Sequence, residues 1–162
     1  DYGTGKPSPL GMCIKNGIIY GDYMTSYSVM AVKKDGTIYT PAQGLMGKNL
    51  LAAGVKDTYN FGPVLIKDGE AQLPWAETEK YYPRTAVGMV KPNDYVLLVT
   101  DTGSYNGLNH WDMVNIFKSY GCTYAYNLDG GGSATLYFNG KVMNKLIGNT
   151  QRPCADFLYF TR

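Results

Sequence analysis

The sequence predicts an α+β fold: a mostly antiparallel, hairpin-rich sheet that carries one long and one short helix and contains one strand-helix-strand crossover. Three observations predict it. Asn-Gly and Asp-Gly pairs repeatedly separate runs of β-branched and aromatic residues. One segment near residue 115 has a sustained helical period, and it lies between two strand-like runs.

The hairpins come first along the chain. Asn16-Gly17 sits between Gly11-Met12-Cys13-Ile14 and Ile18-Ile19-Tyr20, and Asp35-Gly36 between Ser28-Val29-Met30-Ala31-Val32 and Thr37-Ile38-Tyr39. Asp68-Gly69 follows Pro63-Val64-Leu65-Ile66, and Asn139-Gly140 joins 134–138 to Val142-Met143. Such pairs accept the positive φ angles that a two-residue turn requires. A fifth hairpin turns at Pro92-Asn93-Asp94, between 86–90 and 95–100. A short helix is expected over 47–53, stopped by Gly54. The long helix runs over 110–120, capped by Asn109, with Asp112 in its first turn and Gly121 at its end. Trp111, Val114, Phe117 and Tyr120 are expected to form its apolar stripe. With strands at 96–100 and 124–128 it makes a crossover, so a parallel strand pair is expected within the sheet.

Composition narrows the chemistry. The 162 residues amount to one domain, 44% hydrophobic and 17% charged, so the chain buries a core under a surface more polar than charged. A formal charge of +2 gives no electrostatic case for nucleic acid or an anionic membrane. No apolar run approaches the ~18 residues of a membrane span. The single histidine, His110, excludes His-cluster metal sites. Only three of the thirteen acidic residues are glutamates (Glu70, Glu77 and Glu79), and they crowd into one polar stretch. Carboxylate chemistry therefore falls to aspartate. Cys13, Cys122 and Cys154 match neither a zinc site nor a disulfide framework, and are read as three buried thiols, with one disulfide plus a free thiol as the alternative. The fifteen tyrosines are expected mainly in the core and on sheet faces.

Four segments are candidates for a site. In Asn127-Leu128-Asp129-Gly130-Gly131-Gly132-Ser133, three glycines follow a carboxylate and an amide and precede a hydroxyl. Glycines let several N–H groups turn toward one point, which makes an anion-binding nest. Pro83-Arg84-Thr85 brings into a strand an arginine able to make forked contacts with phosphate. Thr100-Asp101-Thr102-Gly103 places a carboxylate at the end of an apolar strand, where ligands gather in sheets with crossovers. Gln151-Arg152-Pro153 carries an arginine in the loop that enters the expected last strand. The Gly47-Lys48 step lacks the spacing of a nucleotide-binding loop, and no nucleophile elbow surrounds Ser104, Ser119 or Ser133.

Taken in order, Gly62-Pro63-Val64-Leu65-Ile66-Lys67-Asp68-Gly69, Pro83-Arg84-Thr85-Ala86-Val87-Gly88, Asp101, the helix, Asn127-Leu128-Asp129-Gly130-Gly131-Gly132-Ser133 and Arg152-Pro153 resemble the phosphodiester glycosidase family. The resemblance runs from about Pro9 to the C-terminus. Members usually carry an Asn-Gly-Gly-Phe/Tyr-Phe strand ahead of the segment matching Pro9-Leu10-Gly11. Its absence here leads to the expectation that the N-terminal strand is missing or lies in a separate chain, a fragment of the same protein. Bacterial relatives are associated with exopolysaccharide, so the resemblance implies an extracellular or cell-surface location.

The family implies hydrolysis of the bond between a sugar's anomeric carbon and a phosphodiester, in a glycan or surface polymer. The residues suit that chemistry, because the transition state is cationic at the sugar while negative charge grows on the departing phosphate. Phosphate binding is assigned to Arg84, Arg152, Ser133 and the amides of Gly130, Gly131 and Gly132, and Thr85 is counted among the substrate-binding residues. Asp101 and Asp129 share two roles, one at the anomeric carbon and the other activating water. Asn127 positions a sugar hydroxyl or Asp129. No cofactor is required, although the sequence also leaves room for a divalent metal such as calcium bridging an aspartate and the phosphate. The alternative reading is a non-catalytic binding module for phosphorylated glycans or wall polymers, which binds such a ligand without turnover.

Overall fold

The computed structural model describes residues 9–23, 25–72, 80–101 and 107–161. Glu77, Glu79, Thr102, Gly103 and Ser104 lie outside the described residues. The chain opens with the hairpin β1 (Cys13–Lys15) and β2 (Ile18–Gly21), then β3 (Ser28–Lys33), β4 (Ile38–Tyr39), α1 (Gly47–Ala52) and β5 (Val55–Phe61). Next come β6 (Val64–Lys67), β7 (Glu70–Ala71), β8 (Thr85–Lys91) and β9 (Asp94–Val99), then α2 (His110–Ser119) and β10 (Tyr124–Leu128). A short hairpin, β11 (Tyr137–Phe138) with β12 (Lys141–Val142), follows. Each of the five expected turns closes a hairpin. Asn16 and Gly17 both have positive φ, as do Asp68 with Gly69 and Asn139 with Gly140.

Two sheets stack. One has the order β7-β6-β10-β8-β9, the other β4-β3-β5. Alternation along the strands sends Met30, Val32, Tyr59, Val87, Met89, Tyr124 and Tyr126 into the space between them. Ala86 and Ala125 face the other way, onto Met113, Val114 and Phe117 of α2. The outer face of the smaller sheet packs Ala31 and Val55 against Ile14 and Leu50, from β1 and α1. Tyrosines pin the sheets together. The Tyr126 hydroxyl donates to the Ser28 carbonyl and accepts from the Phe61 amide, and Tyr124 shares a hydrogen bond of 2.7 Å with Thr40. Burial pushes the Tyr126 hydroxyl up to about 12, so it stays a neutral donor.

The crossover exists, but its two strands are not neighbours. β9 and β10 each pair antiparallel with β8, which lies between them, so they run in the same direction one strand apart. Every named pairing is antiparallel. The helix stripe also differs from expectation. α2 buries His110, Met113, Val114 and Phe117, while Trp111 and Tyr120 are exposed. Each residue advances about 100° around a helix, so repeated steps of three drift off a face that steps of three and four hold. Asn109 caps α2 as expected, accepting from the Asp112 amide at 2.8 Å while the Asp112 carboxylate accepts from Asn109. Residues 151–161 form no strand, against the expectation of a last strand there.

Only two of the three thiols are buried. Cys13 and Cys122 lie in the interior, where burial raises their pKa, and Cys154 is exposed. The short polar segment 150–155 packs no core element over it. A thiol reagent is therefore expected to label Cys154 alone in the native protein and all three cysteines in denaturant, counted by intact mass. Labelling of Cys13 before unfolding would contradict the packing of the first hairpin. Among the described residues, no helix is long and apolar enough to cross a membrane.

Candidate active site

The register brings three of the predicted residues to one end of the larger sheet. Leu128, Thr85 and Val99 lie side by side across β10, β8 and β9. Just beyond that row the chain presents Asp129 after β10 and Arg84 before β8, with Thr100 and then Asp101 after β9. The Thr100 amide donates to the Arg84 carbonyl at 2.9 Å and the Arg84 amide to the Thr100 side-chain hydroxyl at 2.9 Å, which carries the contact between the two chain segments to that level. Asp129 and Asp101 thus leave strands two spacings apart, about 10 Å, with Arg84 between them.

Asp129 is the hub of the site. Its Oδ2 accepts from the Ser133 hydroxyl at 2.7 Å and from Arg152 Nη2 at 2.6 Å, and Arg152 Nη2 also donates to Ser133 Oγ. Its Oδ1 accepts from the Gly130 amide at 2.8 Å. The Asp129 and Arg152 side chains are 36% and 39% exposed, so the ion pair is open to a ligand. The site is half wet.

Two of the three glycine amides of the expected nest are engaged within the chain. The Gly130 amide serves the Asp129 carboxylate, the Gly131 amide donates to the Pro83 carbonyl at 2.8 Å, and the Ser133 amide donates to Gly130. A Cβ on Gly130 would stand 2.5 Å from the Pro83 oxygen, and Gly131 has a φ of +56°. The triplet lets the chain turn hard against residues 83–84, which puts Ser133 back beside Asp129.

Arg84 is anchored rather than extended. Its Nε donates to the Leu108 carbonyl at 3.1 Å and its Nη2 to the Lys80 carbonyl at 2.9 Å, with the guanidinium over the Tyr82 ring. It fastens the segment just ahead of β8 to the segment before α2, which Tyr82 and Leu108 also bridge. Asp101 accepts from the Lys145 amide at 3.3 Å. The neighbouring Asn144 holds the loop after Ser133, accepting from Leu136 and donating to Ala134. Pro83, Asn144 and Lys145 escape sequence reasoning because each contributes backbone or an ordinary loop amide. Asn127 and Thr85 sit deeper. Asn127 is 1% exposed and donates to the Gly62 carbonyl at 2.7 Å, while its Oδ1 and the Thr85 hydroxyl are buried with no hydrogen-bond partner among the described residues.

An aspartate thus holds an arginine and a serine at the sheet end, with a second aspartate about two strands away, and such an arginine can make forked contacts with an anion. The profile of the phosphodiester glycosidase family matches residues 1–161, and the chain belongs to that family. It is similar to the SPbeta prophage-derived uncharacterized protein YomE of Bacillus subtilis (strain 168), with 31% identity over 92% of this chain and 25% of that protein. It is also similar to mouse N-acetylglucosamine-1-phosphodiester alpha-N-acetylglucosaminidase, at 28% identity over 80% of this chain and 29% of the mouse protein. Among solved structures it resembles the catalytic domain of the zebrafish enzyme of that name, auto-inhibited by pro-peptide. There the TM-score is 0.69 at 24% identity, over 85% of this chain and 50% of that one. The chain thus spans about a quarter of the length of these two curated relatives.

Proposed function

We propose that this protein hydrolyses a sugar-1-phosphodiester at the anomeric carbon, within a glycan or polymer outside the cell or at its surface. The observation that carries this is the Asp129–Ser133–Arg152 cluster at the sheet end that Asp101 shares, in a chain of the phosphodiester glycosidase family. The C1–O bond breaks and the phosphate monoester departs with the bonding electrons. Water adds its oxygen to C1, giving a free sugar. The phosphate is a competent leaving group once its charge is met, so cationic and hydroxyl donors replace much of the proton donation an ordinary glycoside needs. Arg152 supplies those donors, joined by Ser133 when its one hydroxyl proton turns from Asp129 to the phosphate. Asp129 orients both, and its own charge stabilises the positive anomeric carbon. An oxygen already accepting from an arginine and a serine is a weak nucleophile, which leaves Asp101 to take the proton from water.

The test uses the methyl phosphodiester of N-acetylglucosamine-1-phosphate, the sugar in the mouse relative's name, in water enriched with oxygen-18. The expected result is free sugar carrying the label at C1 and an unlabelled methyl phosphate. Label in the phosphate would mean cleavage at phosphorus and would overturn the mechanism. Binding of the diester without any product would favour the alternative, a glycan-phosphate binding module.

A further inference from the structure

A second concavity, of about 410 Å³, opens between the hairpin β1-β2, strand β5 and residues 155–159. That lies within the roughly 300–1,000 Å³ of small-molecule sites. It is separate from the Asp129 cluster but close to it. Only three residues lead from Arg152 to Ala155, so their Cα atoms are at most about 11 Å apart.

The walls are aromatic. Tyr20, Phe157 and Tyr159 line the cleft and are 67%, 76% and 62% exposed. Phe157 and Tyr159 stand with ring centroids 5.9 Å apart, tilted by 53°. Leu158 between them packs into the space between the sheets, so the backbone carrying the two rings is held down. Single exposed rings are ordinary, but three around one cleft form a surface suited to covering by a ligand.

The charges decide which ligand. Lys15 is the one cationic side chain among the described lining residues, and it is fully engaged. Its ammonium lies 2.8 Å from Asp156, donates to the Thr58 carbonyl at 3.0 Å and sits 3.5 Å from the Tyr59 ring centroid. Asp57 adds a second carboxylate, which takes the Asn16 amide. Lys56, outside the lining, stands 3.9 Å from Asp57, so each carboxylate has a cationic neighbour and the cleft offers acceptors but, among its described lining residues, no unengaged cation to hold a phosphate. A neutral saccharide fits, with its C–H faces against the rings and its hydroxyls donating to the carboxylates.

We infer that this cleft binds a neutral oligosaccharide stretch of the substrate, so that the protein acts on a polymer rather than on an isolated sugar phosphate. The polymer part of this inference rests on the proposed hydrolytic activity, and the binding part does not. The probes are the trisaccharide of N-acetylglucosamine and maltotriose, titrated into the 162-residue protein. At least one is expected to bind, and the double variant Phe157→Ala/Tyr159→Ala, or Tyr20→Ala on the opposite wall, is expected to weaken it at least tenfold. In turnover, the preference for a diester extended by the trisaccharide over the methyl diester should fall at least fivefold in the double variant. Ring-dependent saccharide binding with no cleavage of either diester would sink the hydrolytic reading and leave the cleft assignment standing. Cleavage of both diesters with an unchanged preference, and no saccharide binding, would overturn the cleft assignment. So would binding of a lysine-rich peptide in place of both sugars.

Discussion

Asp129→Asn is expected to lower turnover of the methyl diester by about 10³-fold, the upper end of what removing one preorganised electrostatic group costs. Asparagine keeps the size of the side chain and an acceptor for the Gly130 amide. It removes the charge that holds Arg152 at 2.6 Å and that faces the developing cation. Stability should hardly change. Both partners are more than a third exposed, and such ion pairs contribute roughly 0–1 kcal/mol. Initial rates beside a thermal melt give the check. A folded Asp129→Asn protein within tenfold of the parent rate would remove Asp129 from the mechanism, whereas a large loss of melting temperature would recast it as a structural residue.

The largest effect on stability is expected at Phe117. Its ring is fully buried on α2 and lies over Gly88 of β8, where a Cβ would come within 2.5 Å of Phe117 Cδ1 and 2.7 Å of the Cys122 sulfur. The glycine clears the space that the ring fills, so no side chain on that strand can relax into the hole. Phe117→Ala should cost about 3–5 kcal/mol, a large fraction of the roughly 5–15 kcal/mol that holds an ordinary domain together. Trp111→Ala, on the exposed side of the same helix, should cost well under half of that. Denaturant titration of both variants decides between the two phases of the stripe. A costlier Trp111→Ala would restore the stripe expected from steps of three.

The hairpins were legible because their information is local. Asn16-Gly17 or Asn139-Gly140 can reverse the chain whatever lies elsewhere, and the flanking residues alternate accordingly. The residues of the site were legible for a related reason, since Asp129, Ser133 and Arg152 sit in unusual company along the chain. What they do to one another was not. The carbonyl that takes the Gly131 amide belongs to Pro83, just ahead of β8 and far away along the chain, and it engages one of the amides expected in the nest. The Asn127 amide likewise meets the Gly62 carbonyl, a partner 65 residues away along the chain. Strand order is likewise non-local, and an apolar strand-helix-strand run looks the same whether its strands touch or straddle a third.

That straddling has a consequence for how the protein matures. β10 is the last strand the chain contributes to the larger sheet, yet it is the central one, inserted between the hairpins β6-β7 and β8-β9. Those hairpins can form early from near neighbours, leaving a slot that closes only when β10 arrives from far along the sequence. Asp129 rides on the end of that closing strand, and Arg152 and Ser133 follow it. The carboxylate, its arginine and its serine therefore come together only once that central strand is seated.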